Sequence, residues 1–290
     1  MILVPQKHDR KTTVKLYGCG EDKDKRIKVV RSVIGTPRTS YVDDNMDSDE
    51  KDDTKRNQAK SNTIASDEEI LEHNNAKLDA SISRSRSRIF ELVFCNPWEW
   101  FFTATLDSKK FNRSDLAVFH KCFVVFVRNY NSKYKTKIKF LMIPERHADG
   151  ISWHMHGFLH GVPVEHLHRF QLGDAMGKHL ASKVKQGFEI YNWPAYQERF
   201  GFCDLEPIRN KEAVSKYVTK YVTKDLARNV QDKNAHMYYR SRGLSRATVI
   251  AEGTLPPGIL PPPDYHDTYI AIWWLGYTPE LEALLRNSVK

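Results

Sequence analysis

The chain has 290 residues, 40% of them apolar, which is enough for a real hydrophobic core, and it carries a formal charge of +9. No apolar run approaches the roughly 18 residues needed to span a bilayer. Met1-Ile2-Leu3-Val4-Pro5 is not the start of a signal peptide, and Cys19, Cys95, Cys122 and Cys203 form no Cys-x-x-Cys pair. These features argue against a membrane protein, a zinc ribbon or a disulfide framework. They favour a cytoplasmic protein with a polyanionic partner.

Residues 1–85 are charge-balanced, with 16 Lys/Arg against 16 Asp/Glu, so the basic excess lies in residues 86–290. The β-prone pieces Thr13-Val14-Lys15-Leu16-Tyr17 and Ile27-Lys28-Val29-Val30 predict a small hairpin, too little to be stable alone. Residues 36–66, with the acidic run from Asp43 to Asp53 and almost no aromatics, read as a disordered linker. Residues 1–85 are therefore expected to form a largely flexible extension, and deleting residues 1–65 is expected to leave activity almost intact. Ser66 and Glu69 fit the start of a helix running to about Arg88. Its Ser/Arg alternation fits a solvated face better than a phosphate contact.

The run Phe101-Phe102-Thr103-Ala104-Thr105-Leu106-Asp107 predicts a strand with Thr103, Thr105 and Asp107 on one face. Residues 114–133 predict a helix, capped at Ser114 or Asn112, from the helical spacing of Leu116, Phe119, Phe123, Phe126 and Val127. The next predicted strand, from Lys139, ends in Glu145, and a turn leads to Trp153-His154-Met155-His156-Gly157. Period-2 geometry puts His154 and His156 on one face, roughly 6 to 7 Å apart. A hairpin would bring Glu145 beside them. Two imidazoles and one carboxylate leave coordination positions open, which suits a catalytic ion better than a closed structural site. The alternative is a sheet that merely exposes two histidines near a loop.

Residues 163–182 predict a helix with His166, His168 and His179 at its surface. The aromatics Phe188, Tyr191, Trp193, Tyr196, Phe200 and Phe202 fit either base stacking or a β-rich core. From Asn210 or Lys211 a helix is predicted through Leu226, with Val214, Val218, Val222 and Leu226 as its buried stripe. It repeats Tyr-Val-Thr-Lys, so that Tyr217/Lys220 and Tyr221/Lys224 are equivalent by spacing. A phenol, with a pKa of about 10, needs nearby positive charge to act as a nucleophile. The alternative is an amphipathic helix with packed tyrosines and solvated lysines. A basic turn at Arg240 and Arg242, a proline-rich break, a strand over residues 269–274 and a short helix at residues 279–290 complete the chain.

Phe102-Thr103-Ala104-Thr105-Leu106-Asp107, His154-Met155-His156 and Tyr217-Val218-Thr219-Lys220, in that order, resemble the motifs of the HUH endonucleases, specifically the rolling-circle replication initiators of small DNA phages and plasmids. The resemblance covers residues 86–278, and the doubled tyrosine is similar to the two-tyrosine initiators. It implies an α+β fold with a central antiparallel sheet of about five strands flanked by helices. It implies metal-dependent nicking and rejoining of single-stranded or extruded origin DNA through a 5′-phosphotyrosine. Glu145, His154 and His156 would hold Mg2+ or Mn2+, Tyr217 and Tyr221 would attack, and Lys220 and Lys224 would assist. Thr103, Thr105, Arg240 and Arg242 are the expected nucleic-acid contacts. Tyr217 is the preferred nucleophile if only one acts. A transposase of the same chemistry and a non-cleaving sequence-specific DNA-binding repressor are the alternatives. The chain has no Gly-x-x-x-x-Gly-Lys-Ser/Thr, since Gly173 to Lys178 is one residue short, so a separate helicase and the host replication machinery are expected partners.

Overall fold

The β-branched and aromatic runs do form strands, but they assemble into two sheets rather than one. The computed structural model describes residues 12–20, 25–33, 82–147, 149–222, 236–266 and 270–290. The architecture is α+β with antiparallel sheets. The chain divides into two compact units, residues 1–76 with 247–290, and residues 77–246.

In the first unit, β1 (Thr12–Cys19) and β2 (Arg26–Val33) form the expected hairpin. A hairpin alone buries too little to persist. Three further strands complete its sheet: β10 (Thr248–Gly253), β11 (Tyr265–His266) and β12 (Ile270–Gly276), in the order β10-β1-β2-β12-β11. Val14, Leu16, Ile27, Val29 and Trp273 make its core together with Leu285 of the C-terminal helix α6 (Pro279–Ser288). The helix is capped by the Thr278 side chain, which accepts from Leu281 N at 3.1 Å.

Two expectations are corrected here. The predicted domain of residues 86–278 does not run as one body, because residues 247–278 pair with the N-terminal hairpin. Residues 279–290 are likewise not a separate tail, since Leu285 is fully buried. Nor is the N-terminal segment dispensable to the fold, because β1 and β2 are the inner strands of this sheet. Deleting residues 1–35 is expected to unfold the first unit, seen as rapid proteolysis of residues 247–290. Unchanged resistance there would contradict the pairing. The predicted linker, and the start of the predicted helix at Ser66, lie outside the described residues.

The second unit begins, among the described residues, with helix α1 (residues 82–94), followed by β3 (Trp100–Thr105), α2 (Leu116–Tyr134), β4 (Lys139–Arg146) and β5 (Trp153–His160). The α2 cap is Asp115, whose side chain accepts from Val118 N at 3.0 Å. Asn112 instead closes a local turn onto Ser114, so neither expected residue is the cap. The expected helix at residues 163–182 is corrected as well. Those residues form a short 3-10 turn (Val164–His166), the strand β6 (His168–Arg169) and only the start of α3 (Lys178–Lys185). Then come β7 (Tyr191–Asn192), α4 (Pro194–Arg199), β8 (Cys203–Pro207), α5 (Lys211–Thr219) and β9 (Tyr239–Arg240).

The sheet of this unit has seven strands in the order β6-β7-β8-β3-β5-β4-β9, two more than the number expected. The strand with the histidine pair is central, between β3 and β4. Strand alternation divides the sheet's side chains between two faces. One face packs on α2: Phe123 stacks on Phe102 at 6.4 Å and meets Phe140 edge-on at 5.0 Å. Trp193, Tyr196 and Phe200 are fully buried in this same core, so they are packing residues rather than base-stacking surfaces. The other face carries the polar residues of β3, β4 and β5 and meets α5.

Candidate active site

Directly paired residues of antiparallel strands point to the same face. The register aligns Thr105, His154 and Glu145 across β3, β5 and β4, and aligns Thr103, His156 and Ile143 one step further along. The predicted hairpin therefore exists, and it brings the carboxylate to the histidines. His156 Nε2 lies 2.7 Å from Glu145 Oε2, while Thr103 Oγ1 and Thr105 Oγ1 lie 3.5 Å and 3.4 Å from Nδ1 of His156 and His154. The histidine ring centroids are 6.0 Å apart. Burial pushes both imidazoles down to about 4, aided at His154 by the neighbouring His147, so both are neutral at neutral pH. Burial also raises the Glu145 carboxyl.

Gly157 permits this alignment. A Cβ there would collide with the Leu141 carbonyl and come within 2.8 Å of Met142 Cα on β4. Neither backbone atom can yield without parting β4 from β5. Gly157→Ala is expected to cost about 3 kcal/mol, the upper range for overpacking, read as a fall in denaturation midpoint. A change within error would show that the strands can separate freely.

The tyrosines reach the same face from α5, whose N-cap Asn210 accepts from Ala213 N at 3.0 Å. The helix ends at Thr219 rather than at Leu226. Amides 220, 221 and 222 bond to carbonyls three residues back, a tightening typical of a helix end. Arg86 of α1 donates to the Val222 carbonyl at 3.2 Å, capping this turn with positive charge. Lys224 and Leu226 lie outside the described residues.

The turn separates two phenols that spacing left equivalent. Tyr221 lies flat on His156, with ring centroids 4.5 Å apart and planes 11° apart. Tyr217 stands outside it, edge-on to Tyr221 at 5.4 Å and to Phe101 at 5.7 Å, and is 43% exposed. Lys220 Nζ is 5.4 Å from the Tyr217 ring. The Tyr221 hydroxyl is pushed well up, first by burial and then by its hydrogen bond to Tyr217 and the Glu145 charge.

Arg240 and Arg242 are not brought to this cluster. Arg240 pairs with Leu141, four residues along β4 from Glu145, a distance of roughly 13 Å at strand rise. The Arg242 carbonyl accepts from Lys139 Nζ at 2.6 Å.

Three neighbours escaped sequence reading. Asp204 on β8 pairs with Thr103 and shares its face; burial and the Glu206 charge push its carboxyl up to about 7, while a Thr103 hydrogen bond opposes the rise. The alternation Cys203-Asp204-Leu205-Glu206 could have signalled it. His147 stacks on His154 with centroids 3.3 Å apart, and Arg113 Nη2 lies 3.0 Å from His147 Nε2. No local pattern marks either of these residues.

The donor chemistry suits a divalent ion: two neutral imidazoles, a carboxylate, and hydroxyls at the outer ring nitrogens that would steer the inner ones. Among the described residues, however, no three His, Cys, Asp or Glu side chains converge on a common point. His156 and Glu145 instead contact each other directly. Nor, among these residues, is any helix long and apolar enough to cross a membrane.

Residues 99–226, from the start of β3 to past the second tyrosine, match the profile of a family described as Replication-associated protein ORF2. The match supports a role in initiating replication. No curated protein and no solved structure is significantly similar to the chain.

Proposed function

We propose that the unit of residues 77–246 is the nicking and joining domain of a rolling-circle replication initiator. The observation that carries this reading is the Tyr221 phenol stacked over His156 beside Glu145, within a segment matching a replication-associated family. The substrate is single-stranded or extruded origin DNA, drawn by the basic surface of the chain. A separate helicase and the host replication machinery complete the process.

Glu145, His154 and His156 would hold Mg2+ or Mn2+, which when bound polarises the scissile phosphate and offsets charge in the transition state. Thr103 and Thr105 orient the two imidazoles through Nδ1. A tyrosine oxygen attacks the phosphorus in line, the phosphorus–O3′ bond breaks, and the O3′ takes up a proton to leave a primer hydroxyl. The phenolic proton passes to solvent. The 5′-phosphate remains on the tyrosine, which conserves the phosphodiester bond energy, so rejoining needs no nucleotide. Lys220 supplies positive charge to the phenol pair, and Lys224 is assigned the same role by its spacing. Arg240 and Arg242 are assigned to the path of the strand away from the cut.

The test is incubation of the full chain with a tiled set of single-stranded oligonucleotides from its own replicon and Mg2+ or Mn2+. A covalent protein–DNA band resistant to denaturant supports the reading. Tight sequence-specific binding without any such band would replace it with a repressor, and joining to unrelated target strands would replace it with a transposase.

A further inference from the structure

Beyond the residues already assigned, the turn after β3 supplies a guanidinium at the edge of the candidate site. Arg113 is anchored there by its backbone, since its carbonyl accepts from Trp153 N at 3.1 Å, one residue before His154. Its Nη2 lies 3.0 Å from His147 Nε2, so the imidazole accepts from the guanidinium and fixes its direction. His147 in turn lies against the face of His154. The Arg113 charge is felt by both imidazoles, holding each further below its ordinary value.

Nothing nearby answers this charge. The closest carboxylates are committed elsewhere: Asp149 accepts from the amides of Ile151 and Ser152, each at 2.8 Å, and Glu145 faces His156. Among the described residues Arg113 has no carboxylate partner, and its buried Nε has no hydrogen-bond partner. A buried, directed guanidinium donor without a partner is costly unless a ligand completes it. A planar fork of N–H donors beside neutral imidazoles selects a tetrahedral oxyanion over a cation.

We propose that Arg113, oriented by His147, is a DNA-phosphate-binding residue, gripping a backbone phosphate of the strand laid across the β4–β5 hairpin beside His154. This rests on the reading of the site as a DNA-processing centre, and it deepens that reading by placing a strand contact on the His154 side, opposite the tyrosines.

The test uses binding rather than cleavage. The full chain is mixed with a mixed-sequence single-stranded 30-mer in EDTA, and affinity is measured across a salt series. Arg113→Gln is expected to lower the slope of log affinity against log salt by about 0.7, the share of one phosphate contact on a single strand. Arg113→Lys, which keeps the charge, is expected to restore most of it. In the unaltered protein the 30-mer is expected to protect Arg113 from phenylglyoxal, read by peptide mass. That measurement decides the matter even if Arg113→Gln fails to fold. An unchanged slope in a folded Arg113→Gln protein, or equal modification of Arg113 with and without DNA, would overturn the proposal. Protection of Arg113 in a protein that never forms a covalent adduct would leave this inference standing while removing the nicking function.

Discussion

Tyr221→Phe is expected to abolish the first covalent adduct with origin DNA, whereas Tyr217→Phe is expected to retain it at a reduced rate. By spacing alone the two phenols are equivalent, and Tyr217 is the choice from sequence. The turn after Thr219 breaks that equivalence, because it lays Tyr221 on His156 and leaves Tyr217 on the outside against Phe101. An attacking oxygen must start within about 3.5 Å of phosphorus to gain the full advantage of proximity, and the phenol over the histidines is the one so placed. Its hydroxyl is hard to ionise until positive charge arrives, so attack awaits the bound ion and the DNA phosphate. Both substitutions keep the ring and lose only the hydroxyl, which leaves the stacking intact. The measurement is the yield of protein–oligonucleotide band in a single turnover, followed by a second cleavage of a regenerated origin. If Tyr217 serves as the second nucleophile, Tyr217→Phe should cut once and then stall. A normal first adduct from Tyr221→Phe, with none from Tyr217→Phe, would reverse the assignment.

His154→Ala and His156→Ala should each reduce cleavage by about 10³-fold or more, as expected for removal of a group that stabilises transition-state charge. Most of the affinity for single-stranded DNA should survive, since that comes from dispersed lysines and arginines. The double variant should cleave at no measurable rate in Mg2+ or Mn2+. The two single variants should differ in one respect: His156→Ala also removes the partner of Glu145 and the platform beneath Tyr221, so it alone should alter tyrosine fluorescence in the absence of DNA. Full cleavage by the double variant in Mg2+ would remove the histidines from the proposed ligand set.

Several features of this site are legible in the chain because they are local. Alternation along one strand is enough to put His154 and His156 on one face. A short turn between two strand-like runs is enough to bring Glu145 opposite His154, as the register bears out. The spacing of Leu116, Phe119, Phe123 and Val127 likewise suffices to place one buried helix stripe over the sheet.

What the sequence alone could not decide depends on contacts between distant segments, whose pairing no local period encodes. Strand β2 pairs with β12 across more than two hundred residues of intervening chain. That pairing turns an apparent flexible extension and an apparent last strand into one separate unit. The end of α5 is also a tertiary outcome. Thr219 Oγ1 bonds back to the Lys216 carbonyl at 3.0 Å, Arg86 holds the Val222 carbonyl, and the Tyr221 ring finds His156; together these favour a tight turn over a continued helix. Arg113 and Asp204 enter the site from a loop and from a neighbouring strand, each through a backbone pairing that only the assembled sheet creates. The residue types and the face they share were determined by the sequence; which tyrosine lies over the histidines, and which charges surround them, was decided by packing between segments that the chain keeps far apart.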